Sequence, residues 1–80
     1  MARQYAYPVI DTKATGANIK RLREYAGLSV KEMQHLFDFE SPQAVYKWQR
    51  GETLPTVDEF VVLAKIFNTP IEKIIVVNIE

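Results

Sequence analysis

The stretch SPQAVYKWQRG, Ser41–Gly51, decides how the chain is read. Ala44, Val45 and Trp48 fall three and four residues apart, which sets them on one face of a short helix. Gln43, Tyr46, Lys47 and Arg50 take the opposite face with the same spacing. Ser41 is a good helix cap, and Pro42 fits the first helical position, where its missing N–H costs nothing. Gly51 suits a left-handed C-cap. One face therefore calls for a core. The other presents an amide, a phenol and two cations to whatever lies outside.

The same punctuation recurs on both sides of this stretch. SVKE (Ser29–Glu32), TVDE (Thr56–Glu59) and TPIE (Thr69–Glu72) each match the capping box, in which hydroxyl and glutamate satisfy each other's backbone N–H. Gly27 suits a second left-handed C-cap. The spacing predicts five helices, at about Ala17–Ala26, Val30–Phe37, Pro42–Arg50, Val57–Phe67 and Pro70–Ile75. Their apolar stripes are Ile19, Leu22 and Ala26; Met33, Leu36 and Phe37; Ala44, Val45 and Trp48; Phe60, Leu63, Ala64 and Phe67; and Ile71, Ile74 and Ile75. Each helix is too short to persist alone in water, so packing against its neighbours must hold it.

The two ends have a different pattern. YAYPVI (Tyr5–Ile10) and IIVVNI (Ile74–Ile79) are rich in β-branched and aromatic residues, which predicts a small terminal sheet or a swapped arm. Pro8 restricts the first of these strands to a sheet edge. The expected organisation is an N-terminal arm over residues 1–13, one helical domain over 14–76 and a tail over 77–80.

Eighty residues, about half of them apolar, suffice for one small domain with its own core. The absence of cysteine excludes disulfides and thiolate–zinc sites. The longest apolar run, IIVV at Ile74–Val77, is far too short to span a membrane. MARQYAYPVID lacks the apolar core of a secretory signal, so a cytoplasmic location is expected. The formal net charge is zero, but it is segregated. Between Lys13 and Arg50 seven cations face four anions, and from Gly51 to Glu80 two cations face five anions. Such an asymmetry can mark a polyanion-binding half, or it can be solvated surface charge.

The second and third helices are joined only by Asp38–Ser41. A short helix, a tight turn and a second short helix with one polar face is the pattern of a helix-turn-helix. In that arrangement the first helix braces against sugar–phosphate, while the second enters the major groove, which is wide enough for one helix and displays a distinct pattern for each base pair.

From Gly16 to Ile75 the sequence resembles the Cro/phage-repressor, or XRE-like, type of helix-turn-helix. The resemblance is carried by IKRLREYAGLS and by VYKWQRGETLPTVDEFVVLAKIFNTPIEKII; the specific part is WQRG followed by LPT and an apolar helix. It implies an all-α, five-helix domain that binds double-stranded DNA, usually as a homodimer on a two-fold symmetric operator. By position, it implies base contacts from Pro42, Gln43, Tyr46 and Lys47. It implies backbone contacts from Ser29, Val30, Lys31, Ser41 and Arg50. Gln43 has the donor and acceptor to pair with adenine, and Lys47 can donate to guanine. Pro42 can only press on a thymine methyl.

Three residues depart from the family pattern. Val30 stands where a glutamine usually helps orient the helix on the backbone. Gln49 stands where many members have a glutamate, so that Arg23, expected to support the third helix from inside, has only a neutral partner. Asp38 stands in the turn where glycine is usual.

Trp48 is expected in the core, Tyr46 toward the groove, and Lys20 and Arg21 in solvent. His35 is the single histidine and an exposed side chain is expected of it, so neither a metal nor a cofactor is implied. No serine–histidine–acid set, glycine-rich phosphate loop or paired general acid and base occurs, and Asp58 and Glu59 belong to a helix start. The expected protein is thus a small non-enzymatic regulator. Two other readings stay open: an antitoxin or similar module that binds a partner protein through its termini, and a related fold without DNA affinity.

Overall fold

The computed structural model describes residues 7–79. In chain order the elements are strand β1 (Pro8–Ile10), helices α1 (Thr12–Tyr25), α2 (Val30–Leu36), α3 (Gln43–Arg50), α4 (Val57–Phe67) and α5 (Ile71–Ile74), and strand β2 (Val77–Ile79). All five expected helices form, and a two-stranded antiparallel sheet joins the ends. Each helix contributes to one buried cluster: Ile19, Met33, Val45, Trp48, Phe60, Leu63 and Ile74. No helix among the described residues is long and apolar enough to cross a membrane.

Local chemistry explains most of the boundaries. Ser29 and Thr56 each close a complete capping box, with Glu32 and Glu59 respectively. Gly27 lies just beyond α1 at φ 75°, the left-handed conformation expected of it. The Thr69 box does not form. Pro70 is extended and immediately precedes α5, and the Thr69 hydroxyl instead donates to the Phe67 carbonyl at 2.9 Å. Leu36, expected in the core, is 54% exposed because α2 presents Met33 inward and turns its last residue away.

The first helix begins at Thr12, five residues before the expected start at Ala17. Asp11 caps it by accepting from the Ala14 N–H at 2.9 Å. This start is tied to the C-terminal segment. The Asp11 N–H donates to the Val76 carbonyl at 2.8 Å, and the buried Thr15 hydroxyl accepts from the Val76 N–H at 2.9 Å. Asn18 donates to the carbonyls of Lys73 and Ile74, both at 2.9 Å.

The strands are shorter than expected. Tyr5 and Ala6 lie outside the described residues, while Ile74 and Ile75 belong to the end of α5, where Ile74 is fully buried. The register pairs Pro8 with Ile79, Val9 with Asn78 and Ile10 with Val77.

Candidate nucleic-acid interface

The position of α3 is set from three sides. Val45 and Trp48 are its buried residues, with Trp48 only 3% exposed. Phe37 and Phe39, on either side of the turn, stack on each other at 5.3 Å and meet the Trp48 ring edge-on at 5.3 and 5.7 Å. Between them Asp38 adopts φ 56°. Its N–H donates to His35 and the Phe39 N–H donates to Gln34, satisfying the last carbonyls of α2. The turn therefore requires the left-handed conformation that glycine supplies most easily, and aspartate is one of the few other residues that tolerate it.

The far end of α3 lies directly against the start of α1. Gly51 ends the helix at φ 75°, with a Cβ there falling 2.7 Å from the Lys13 Cα. A Cβ on Gly16 would fall 2.1 Å from the Trp48 carbonyl oxygen. No side chain fits between these backbones. On the third side, the Arg23 Nε donates to the Gln49 side-chain oxygen at 2.9 Å, and its Nη1 donates to the Leu28 carbonyl at 2.6 Å. Arg23 is 9% exposed, so the neutral contact expected between these two residues forms inside the protein.

What remains outside is the polar face. Gln43, Tyr46, Lys47 and Arg50 are all exposed along α3. Pro42 is half-buried and flanks the helix as its cap residue, with φ −80° and ψ 1°, one place earlier than the first helical position expected of it. The exposed Ser41 hydroxyl accepts weakly from the Gln43 N–H at 3.4 Å. At the start of α2, Lys31 is exposed and Val30 is half-buried against the core. The Ser29 hydroxyl is occupied by the Glu32 N–H at 3.0 Å. In return the Ser29 N–H and hydroxyl hold the Glu32 carboxyl below its ordinary range.

One residue of this surface escaped the sequence reading. The Arg50 guanidinium is ion-paired with Glu52, whose carboxyl is lowered chiefly by that hydrogen bond and further by Lys47. The backbone N–H of Glu52 donates to the Lys47 carbonyl at 2.9 Å, which fixes the acid beside both cations. The signal was the RGE triplet, an anion two residues after a cation across a tight turn.

Among the described residues no three histidine, aspartate or glutamate side chains gather as metal ligands. His35 is exposed on α2. The order of the helices, the buried tryptophan and the aromatic-locked turn together define the architecture. The family model described as Helix-turn-helix matches residues 19–74. The chain belongs to the XRE/Cro-type helix-turn-helix family.

Solved structures with the same fold include the DNA-binding domain of BldD from S. venezulae, 23% identical, with a TM-score of 0.67, covering 81% of this chain and 96% of that one. A second is the restriction-modification controller protein C.AhdI from Aeromonas hydrophila, 20% identical, with a TM-score of 0.70, covering 80% and 96%. A further BldD DNA-binding domain structure is 22% identical, with a TM-score of 0.68, and covers 95% of this chain and all of that one. No curated protein matches the sequence.

Proposed function

We propose that the protein is a small transcriptional regulator that binds double-stranded DNA sequence-specifically, with α3 in the major groove, as a homodimer on a palindromic operator. The observation that carries this reading is the division of α3. Val45 and Trp48 are locked in the core while Gln43 stands exposed one helical turn before the exposed Tyr46 and Lys47 on a rigid platform. Membership of the helix-turn-helix family supports a DNA-binding regulator, as does the nature of BldD and C.AhdI.

In this reading Gln43, in the first turn, pairs with a base edge, and Lys47 donates to a base one turn on. Tyr46 lies against the groove wall and Pro42 presses on a thymine methyl. Ser29, Val30 and Lys31 at the start of α2, together with Ser41, meet the backbone of one strand. Arg50 meets it where α3 leaves the groove, exchanging Glu52 for phosphate. Backbone contacts supply position and affinity, and base contacts supply discrimination. With few cations per copy, two copies are needed for tight binding. The protein acts in the cytoplasm and has no enzymatic role.

The test is selection of bound duplexes from a random DNA pool by the full chain. The expected product is a two-fold symmetric site with half-site centres about 34 Å apart. Recovery of no preferred sequence would overturn the reading. It would leave the antitoxin-like alternative, a partner protein bound through the termini, for which the exposed apolar ends are the supporting feature.

A further inference from the structure

Helix α3 ends in a turn that places an acid where the surface is otherwise suited to phosphate. Beyond Arg50 the chain reverses at Gly51, whose N–H donates to the Trp48 carbonyl at 3.0 Å. The next N–H, that of Glu52, donates to the Lys47 carbonyl at 2.9 Å. These two bonds form the Schellman ending of a helix, in which the residue after the glycine usually makes an apolar contact with the residue whose carbonyl it bonds. Here those two positions are Glu52 and Lys47, an anion and a cation. The place of Glu52 is therefore set by backbone bonds and by Gly51 at φ 75°, not by the reach of a flexible side chain.

From this position the Glu52 carboxylate pairs with the Arg50 guanidinium, accepting from its Nε. That hydrogen bond holds the carboxyl below its ordinary value of 4.5, with Lys47 adding to the effect, so the group is charged at neutral pH. The two side chains are about half exposed, at 52% and 50%. An ion pair in that much water adds little to folding stability. Its consequence lies in binding: while the pair is closed, the Arg50 Nε is not available to an external anion.

We infer that Glu52 is a built-in competitor for DNA phosphate, which occupies Arg50 in the free protein and must be displaced before α3 can seat against a duplex. The inference rests on the DNA reading above and adds to it a residue that limits affinity. Duplex DNA carries one negative charge per roughly 1.7 Å of its axis. A phosphate that takes Arg50 lies well inside the roughly 8 Å screening length of physiological salt from the displaced carboxylate. Glu52 thus opposes binding twice, by holding the cation in the free state and by repelling the phosphate in the bound one. The displaced carboxylate also takes up a cation from solution, so binding releases fewer ions than the phosphate contacts alone would give. Every sequence offers phosphates, so this cost falls on all duplexes alike. Only a duplex that also supplies base contacts to Gln43 and Lys47 recovers it, and Glu52 thereby keeps the protein off unmatched DNA.

The test compares the full chain with Glu52→Gln, Arg50→Ala and the double variant. Fluorescence anisotropy measures binding to the selected duplex and to a random-sequence duplex over a range of salt concentrations. Glu52→Gln keeps the backbone bond and the side-chain shape, so an unchanged melting temperature is expected. Its affinity for both duplexes should rise, about tenfold at low salt for a site holding two copies, with a salt slope steeper by up to about one ion per copy. In the Arg50→Ala background the same change should give little of this gain, because the competitor has lost most of what it competes for. An equal gain in both backgrounds would make Glu52 a general source of repulsion and overturn the competition. If Arg50→Ala weakens both duplexes while Glu52→Gln binds as the unaltered chain does, the inference falls and the DNA reading stands. If the unaltered chain and all three variants bind neither duplex, the DNA reading falls and the inference with it.

Discussion

The α2–α3 unit and the terminal ribbon both present exposed side chains, but of opposite kinds. On α3 the outward residues are Gln43, Tyr46, Lys47 and Arg50, and the apolar residues beneath them are buried. On the ribbon the outward residues are mostly apolar, with Val77 48% and Ile79 70% exposed. A polar face is stable in water and need only be rigid to be useful. An apolar face with an open strand edge is costly until something covers it. The difference sets a rigid polar surface apart from an exposed apolar one.

Three substitutions test what holds each surface in place. Trp48→Ala removes the ring that Phe37 and Phe39 pack against and should cost about 3–5 kcal/mol of folding stability. Thermal or denaturant unfolding checks it. A loss below about 1 kcal/mol would mean that α3 is not anchored as described.

Gln49→Glu gives the nearly buried Arg23 a charged acceptor in place of a neutral one. A charge-assisted hydrogen bond exceeds a neutral one, so stability should rise by about 1 kcal/mol in the same assay. An unchanged melting temperature would show that the Leu28 carbonyl and the Glu24 carboxylate, 3.8 Å from the guanidinium, already satisfy it.

The smallest effect belongs to Asp11, which joins α1 to the ribbon. The Ala14 N–H, then the Asn78 amide, hold its carboxyl below the ordinary value of 3.8. A carboxyl lowered by folding contributes stability that is present above its unfolded pKa and is lost as the pH falls through its folded one. The melting temperature should therefore drop on acidification below the ordinary carboxylate range. Asp11→Asn should lose less over that interval, since the other lowered acids, Glu32 and Glu52, still contribute. Identical acid profiles for the two proteins would remove Asp11 from the account.

The helical part of the fold was legible because its cues are local. Two of the three capping boxes, the left-handed glycines and the apolar stripes each act within a turn or two of chain. The start of α1 was hidden because Thr12, Thr15 and Gly16 are poor helix formers, and Asp11 and Thr15 are held there by bonds to Val76, 61 residues beyond Thr15. The failure of the Thr69 box has a local cause instead: Pro70, extended next to it, takes the cap position itself. The polar face of α3 followed from spacing alone. The pairing of Arg50 with Glu52 depended on how the chain turns at Gly51, which no periodicity expresses.

In the proposed complex α3 reads bases with its first turn and meets phosphate at its last. The direct measurement is a set of binding titrations with Gln43→Ala and Arg50→Ala against the selected duplex, single mismatches of it and random duplex, at several salt concentrations. Gln43→Ala should lose about 1–3 kcal/mol on the selected site and relax preference at one base pair, with its salt dependence unchanged. Arg50→Ala should weaken every duplex about equally and reduce the salt slope by about one phosphate contact per subunit. A uniform loss of affinity in Gln43→Ala, with every base preference intact, would contradict the assignment of α3 to the major groove.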